Sequence, residues 1–245
     1  MKVIAVIPAR YSSSRFDGKA LANINGKPMI EWVYRQTVKS LLVNKTIVAT
    51  DDERIFQVVK KFGGDAIMTS ADNKTGTDRI AESVKNIETD LVVNVQGDEP
   101  LITPEVIDSV VQPLLDDSKL PMATAACKIK NQQELDNPNV VKVTMDNQDY
   151  ALYFSRSRIP YQGKHQENSF LFYKHLGIYS YRKDFLLHFS NLPQSILEKT
   201  EKLEQLRALE NGHKIKVVKT KYDGIGVDTE EDLEKVIQQI AGVDE

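Results

Sequence analysis

Residues 7–21 read IPARYSSSRFDGKAL. The apolar run VIAVIP (3–8) leads into them, and where it ends two arginines, a lysine, three serines and a glycine crowd together. Small residues after a strand let backbone N–H groups approach phosphate oxygens, and Arg10, Arg15 and Lys19 can neutralise the charge. An exposed basic loop would have the same composition, so the stretch by itself leaves both readings open. It is not a Walker loop, because GxxxxGK[ST] is absent, and no GxGxxG dinucleotide fingerprint occurs anywhere in the chain.

Outward from this loop, KTIVAT (45–50), DAIM (65–68) and DLVVNVQ (90–96) read as further strands. Between them lie helical patterns. PMIEWVYRQTVKSLL begins with Pro28, which suits a first helical turn. DDERIFQVVKKFGG has acids at its start, lysines near its end and a glycine stop, an order that complements the helix dipole. TDRIAESVKNI and TPEVIDSVVQPLL are two more helices. Strand and helix alternating in this way predict an α/β fold, doubly wound on a mostly parallel central sheet, with helices on both faces. A run such as VVNV fits a strand buried on both sides.

After about residue 120 the pattern changes. MATAACKI, VVKVTMD and YALYFSR follow in quick succession, with Asp146 to Asp149 as a turn between the last two, so a hairpin is expected. A polar stretch, YQGKHQENS, precedes the aromatic run FLFYKHLGIYSY. Two helical segments then end at Asn211-Gly212, KIKVVKT is a strand and EEDLEKVIQQIAG a terminal helix. With no repeat, linker or low-complexity tract, the organisation expected is one domain over 1–245 with a smaller mixed subregion around 120–190.

Composition removes several function classes. The formal net charge of −3 gives no broad basic face, which disfavours duplex nucleic acid as a partner. The single cysteine, Cys127, forms no internal disulfide and no zinc spacing. No stretch approaches the roughly 18 apolar residues of a membrane span, and MKVIAVIPAR meets Pro8 too early for a signal peptide. A cytoplasmic protein is expected.

In doubly wound folds ligands bind beyond the carboxyl ends of the strands, so residues in loops after strands are the candidates. VNVQGDEP places Asp98 and Glu99 just after a strand, where a carboxylate is a natural hard-oxygen ligand for Mg²⁺ or, equally, a turn acid. In GIGVDTEED, Asp228 precedes a helix; either Asp228 or Thr229 could cap it, or Asp228 could share a metal with Asp98. YKHLGIYSY and EKLEQLRALE offer Lys174, His175, Tyr179, Glu204 and Gln205, donors and acceptors of the kind a polyhydroxylated acid needs. The second segment equally reads as a solvated face over a leucine stripe. His165, His188 and His213 lie in polar or helix-end contexts and receive no role.

Taken in order, IPARYSSSRFDGKAL, INGKPMI, VATDD, TGTDR, NVQGDEP, NPN, YALYFSR, YKHLGIY, LEQLR and GVDTEEDL resemble the 3-deoxy-manno-octulosonate (Kdo) cytidylyltransferase family. The matching segments span nearly the whole chain, from Ile7 to Leu233. The resemblance implies a Rossmann-like nucleotidyltransferase fold. It implies a reaction joining CTP and Kdo into CMP-Kdo and diphosphate for lipopolysaccharide assembly, with Mg²⁺ as cofactor. Arg10, Arg15 and Lys19 would hold the triphosphate, with Arg10, Lys19, Asp98 and Asp228 catalytic. Arg79 and Gln96 would lie near cytosine and sugar, and Asp98 and Asp228 would bind the metal. Arg156, His175, Tyr179, Glu204 and Gln205 would line the Kdo site. The family is usually homodimeric, with the region from YFSR to HLGIY at the interface. One departure is local: relatives usually read LPGKP where this chain has FDGKA, so Asp17 and Ala20 replace prolines and free the backbone around Gly18 and Lys19. An 8-amino-3,8-dideoxy analogue of Kdo as acceptor, or a non-catalytic nucleotide-sugar binding module, remain as alternatives. A glycosyltransferase would need a DxD motif, which is absent.

Overall fold

The structure is a computed structural model and describes residues 1–12, 16–162 and 172–241. Its chain divides into two compact units, Met1–Asp108 with Asp223–Glu245, and Ser109–Tyr222.

In the first unit, β1 (Val3–Ala9) is followed by a small hairpin of β2 (Asn23–Ile24) and β3 (Lys27–Pro28). Then come α1 (Met29–Val38), β4 (Lys45–Thr50), α2 (Glu53–Lys61), β5 (Ala66–Met68), α3 (Gly76–Val84) and β6 (Leu91–Asn94). The sheet runs β6-β1-β4-β5 and every pairing is parallel, as the apolar runs predict. Val3 to Ile7, Ile47 to Ala49 and Leu91 to Val93 are all buried, which two helical layers make possible. The chain steps from β1 out to β4 and β5, then returns past β1 to β6. Parallel crossovers are right-handed, so α1 and α2 cover one face and α3 the other. The reversal creates a switch point between β1 and β6, where such sheets bind ligands.

Local chemistry sets the helix ends. Asp52 accepts the Arg54 amide at 2.9 Å, and Thr75 with Asp78 forms a reciprocal capping box. Pro28 is not in the first turn of α1: it pairs with Asn23 in the hairpin, and the helix starts at Met29. That helix also stops before KSLL, because the Asp108 carboxylate draws off the amides of Leu41 and Leu42 at 3.1 Å and the Ser40 hydroxyl at 2.5 Å.

α4 (Pro104–Asp116) carries the chain into the second unit. There β7 (Met122–Lys128), α5 (Gln132–Asp136), β8 (Lys142–Met145), β9 (Ala151–Ser155) and β10 (Tyr173–Arg182) follow. After them come α6 (Lys183–Ser190), α7 (Ile196–Glu201), α8 (Gln205–Glu210) and β11 (Ile215–Thr220). β7 lies between a parallel β11 and an antiparallel β10, with β8 on β10 and β9 on β8. The β8–β9 hairpin turns where expected; Asp146 accepts the amides of Gln148 and Tyr150 at 2.8 Å and Asp149 takes a left-handed φ of 59°. Three helices, not two, separate β10 from β11.

The chain returns to the first unit for α9 (Glu230–Ala241). Its Val236 and Ile240 join Val227, Ile24 and Met29 in one apolar cluster, with Trp32 and Phe16 at its margin. Burial of this stripe brings the segment before α9, and with it Asp228, back to the β1 loop.

Candidate active site

Beyond β1 and β6 the first unit gathers charges that lie far apart in sequence. Gly97 makes this possible: a Cβ there would sit 2.9 Å from the Pro8 carbonyl, so only glycine lets the loop after β6 press against the end of β1. Asp98 follows. Its backbone carbonyl accepts the Val227 amide at 2.8 Å, tying the two acidic loops together. Between their carboxylates stands the Lys19 ammonium, 2.6 Å from Asp98 and 3.3 Å from Asp228, and it also donates to the Val227 carbonyl at 3.2 Å. Burial works against the charge on Lys19, but the carboxylates of Asp98 and then Asp228 outweigh it and raise the lysine pKa above its ordinary value.

The capping alternative at Asp228 is resolved by geometry. Thr229 is the cap: its hydroxyl accepts the Asp232 amide at 3.2 Å, and the Asp232 carboxylate accepts from the Thr229 amide and hydroxyl in return. The Asp228 carboxylate is thereby left to face Lys19.

Lys19 owes its place to the loop. Gly18 adopts a left-handed φ of 71° and donates its N–H to the Tyr11 carbonyl at 2.7 Å. The Tyr11 ring lies against Gly18 and carries the Arg54 guanidinium 3.2 Å from its centroid. Arg10, half-buried at the end of β1, donates to the Asn73 carbonyl at 2.5 Å. Gln96 donates to Asn94 at 3.0 Å. Arg15 lies outside the described residues.

Arg79, expected near the cytosine and the sugar, is buried. Its side chain has no exposed surface; it donates to Asp51 at 2.7 Å and to the Thr69 hydroxyl at 2.5 Å. A wholly buried guanidinium acts on a ligand only through its partners, here the carboxylate at the end of β4. Asp51 was missed in the sequence, although the strand-end rule that flags Asp98 after β6 applies equally to it.

The second unit carries its predicted residues on β10, at the start of α8 and just after β9. His175 contacts the Thr124 hydroxyl at 2.9 Å, and its ring meets Phe154 edge-on and Tyr179 at 5.3 Å. Burial drives the His175 pKa down to about 3, so the ring is neutral at physiological pH. Burial, and next the charge of Glu204, push the Tyr179 phenol well above its ordinary value. Gln205 is buried in the first turn of α8 and Glu204 precedes it. Arg156 spends its guanidinium on the carbonyls of Glu201 at 2.9 Å and Pro138 at 3.0 Å. Lys174 pairs with Glu134 at 2.8 Å.

Two residues behind this group carried no local sequence signal. Arg207, the arginine of EQLR, forms a buried fork with Glu198 at 2.5 and 2.8 Å. Lys142, also buried, donates to the carbonyls of Asn137, Val140 and Arg156 at 3.0, 2.7 and 2.5 Å.

Mg²⁺ suits the first unit's acids. Among the described residues no group of three or more His, Cys, Asp or Glu is arranged to hold a metal. Mg²⁺ needs no such cage, since it is usually held by one or two carboxylates, substrate phosphates and water. Two carboxylates already converging on one cation fit that demand.

Cations and hard-oxygen ligands at the switch point of a parallel sheet meet the needs of nucleotidyl transfer, and the class is that of the nucleotidyltransferases. Residues 4–215 match the cytidylyltransferase family model. The 3-deoxy-manno-octulosonate cytidylyltransferases of Geotalea uraniireducens and Geotalea daltonii are 53% and 52% identical to the chain, over 98% of it and over 99% and 98% of their own lengths. A solved CMP:2-keto-3-deoxy-manno-octonic acid synthetase complexed with CTP superposes with a TM-score of 0.94 at 44% identity, covering 99% of both chains. The chain belongs to the 3-deoxy-manno-octulosonate cytidylyltransferase family. Among the described residues no helix is long and apolar enough to cross a membrane.

Proposed function

We propose that this protein transfers the cytidylyl group of CTP to Kdo, forming CMP-Kdo and diphosphate, with Mg²⁺ held by Asp98 and Asp228. In this reading it works in the cytoplasm as a homodimer and supplies activated sugar for lipopolysaccharide assembly. The relatives' activity supports the reaction. The observation that carries the residue assignment is the convergence of Lys19, Asp98 and Asp228 beyond β1 and β6.

The sugar's anomeric hydroxyl attacks the α-phosphorus and diphosphate departs. Two anions must meet, and their repulsion opposes approach. Bound at Asp98 and Asp228, Mg²⁺ would supply electrostatic screening and polarise phosphate oxygens. Lys19, kept protonated by its two carboxylates, and Arg10 stabilise negative charge on the phosphates and on the departing diphosphate. The second unit supplies groups for the acid sugar: Tyr179 stays a phenol and so a hydrogen-bond donor, and His175 a neutral imidazole. Arg156 contributes a fixed positive charge, and Glu204 and Gln205 offer acceptors and donors for hydroxyls. Proximity and in-line orientation do much of the remaining work.

The test is diphosphate release. It is expected to need CTP, Kdo and Mg²⁺ together, and to fall by about 10²–10³ or more in Asp98→Ala and Asp228→Ala. Normal turnover in both variants would sink the metal assignment. Kdo and its 8-amino analogue assayed side by side decide the acceptor; the relatives' names favour Kdo.

A further inference from the structure

The second unit contains a cavity of about 670 Å³ at the end of its sheet where β7 and β11 begin and β10 ends. Arg182, at the end of β10, lies about 23 Å along that strand from His175, at roughly 3.3 Å per residue. It is therefore separate from the residues proposed for the acid sugar. Its volume lies within the range of small-ligand sites.

Its lining carries three basic side chains, Lys119, Arg182 and Lys214, against two acids, Asp117 and Asp184. Lys119, Lys214 and His188 make no ion pair with an acidic side chain among the described residues. Lys214 instead rests its ammonium 4.9 Å over the Tyr150 ring, which also carries Lys216 at 5.1 Å. Arg182 is held in place by the carbonyls of Leu114 at 2.6 Å and Asp117 at 2.8 Å. His213 and His188 meet edge to face, 6.0 Å apart, and burial and then the charge of His188 depress the His213 pKa. The two acids of the lining are engaged with backbone: Asp117 accepts the Lys119 amide and Asp184 the Phe185 amide, both at 2.8 Å.

We propose that this cavity is a second, non-catalytic binding site for a phosphate-bearing anion. Such a ligand would supply an ion-pair partner for Lys119 and Lys214 and a further acceptor for Arg182. Binding would draw a proton onto His213, so affinity rises as pH falls through the histidine range.

The experiment is histidine-ring NMR on the full chain, which has only four histidines. Sulfate, whose charge is constant over this range, is the probe for pH dependence; inorganic phosphate and CMP are the two ligand arms. Saturable shifts are expected at His188 and His213 while His175 stays still. Affinity for sulfate is expected to be several-fold higher near pH 6 than near pH 8 and about tenfold lower in Lys119→Met/Lys214→Met, whose turnover stays normal. Shifts with phosphate alone or CMP alone each support the site and identify the source of the group. No saturable shift with any probe overturns the proposal. So do shifts unchanged in the double variant, or shifts abolished by saturating CTP.

Discussion

Arg207→Leu tests whether the arginine of EQLR builds the acid-sugar group from behind. The guanidinium is 4% exposed and Glu198 6%, and they share a two-point contact at 2.5 and 2.8 Å. Arg207 also reaches the carbonyls of Phe189 at 3.3 Å and Leu192 at 3.4 Å and lies over the Phe189 ring. Leucine fills part of the volume but leaves a buried carboxylate whose remaining contact is the Ser195 amide at 3.1 Å. Removing one partner of a buried pair costs about 3–5 kcal/mol. Against a total stability of roughly 5–15 kcal/mol, that is a large fraction. With a denaturant slope of about 3 kcal/mol per molar urea, the unfolding midpoint should fall by roughly 1–1.7 M, read by far-UV circular dichroism. The double variant Glu198→Leu/Arg207→Leu should recover most of the loss, because the buried carboxylate goes with its partner and only the partly exposed Glu204, 3.5 Å from Arg207, loses a contact. α8 begins at Gln205, so the single variant should also raise the KM for Kdo under conditions where it stays folded. A loss below about 1 kcal/mol, or a double variant no better than the single, would refute the reasoning.

Three further outcomes follow from the same geometry. Gly97→Ala forces a Cβ to within 2.9 Å of the Pro8 carbonyl, so it should cost about 1–3 kcal/mol and lower kcat as Asp98 shifts; unchanged thermal stability and kcat would contradict this. Lys19→Met leaves Asp98 and Asp228 without their ammonium, so Mg²⁺ should bind the nucleotide-free protein several-fold more tightly by calorimetry while turnover collapses; weaker Mg²⁺ binding would speak against a shared site. His175 has a folded pKa of about 3, below its unfolded value, so the unfolded chain binds more protons between about pH 3 and 6.5. Stability from this group is present above that window and lost as pH falls through it, on the order of 5 kcal/mol. Its NMR signal should show no titration above pH 5, and a midpoint near 6.5 would overturn the assignment of a buried neutral ring.

The first unit was legible because its strands are apolar throughout and its chemistry sits immediately after them. VIAVIP, KTIVAT and DLVVNVQ needed only the alternation with helices to become a parallel sheet, and the strand-end rule then selected Arg10 and Asp98. What no local pattern could supply is the meeting of Lys19 with Asp98 and Asp228, 79 and 209 residues away. Asp228 illustrates the gap. Its sequence context allowed a cap, and only the reciprocal bonds of Thr229 and Asp232 show that the cap is already made. The second unit was less legible for a related reason. His175 and Tyr179 alternate on one strand and could be read, but the groups fixing their surroundings are polar side chains inside the unit. Lys142 holds three carbonyls there, and Arg207 holds Glu198 nine residues back across a turn. A lysine in a strand or an arginine in a helix is ordinarily a solvated face, and hydropathy alone gives no hint that either is buried. Burial of a charge is tolerable only where most of its donors find acceptors, and at Lys142 those acceptors are backbone carbonyls, which leave no trace in a sequence. The residues proposed for the acid sugar therefore depend on side chains that look like surface, and substitutions at Lys142 and Arg207 should perturb Kdo binding without either residue needing to touch the sugar.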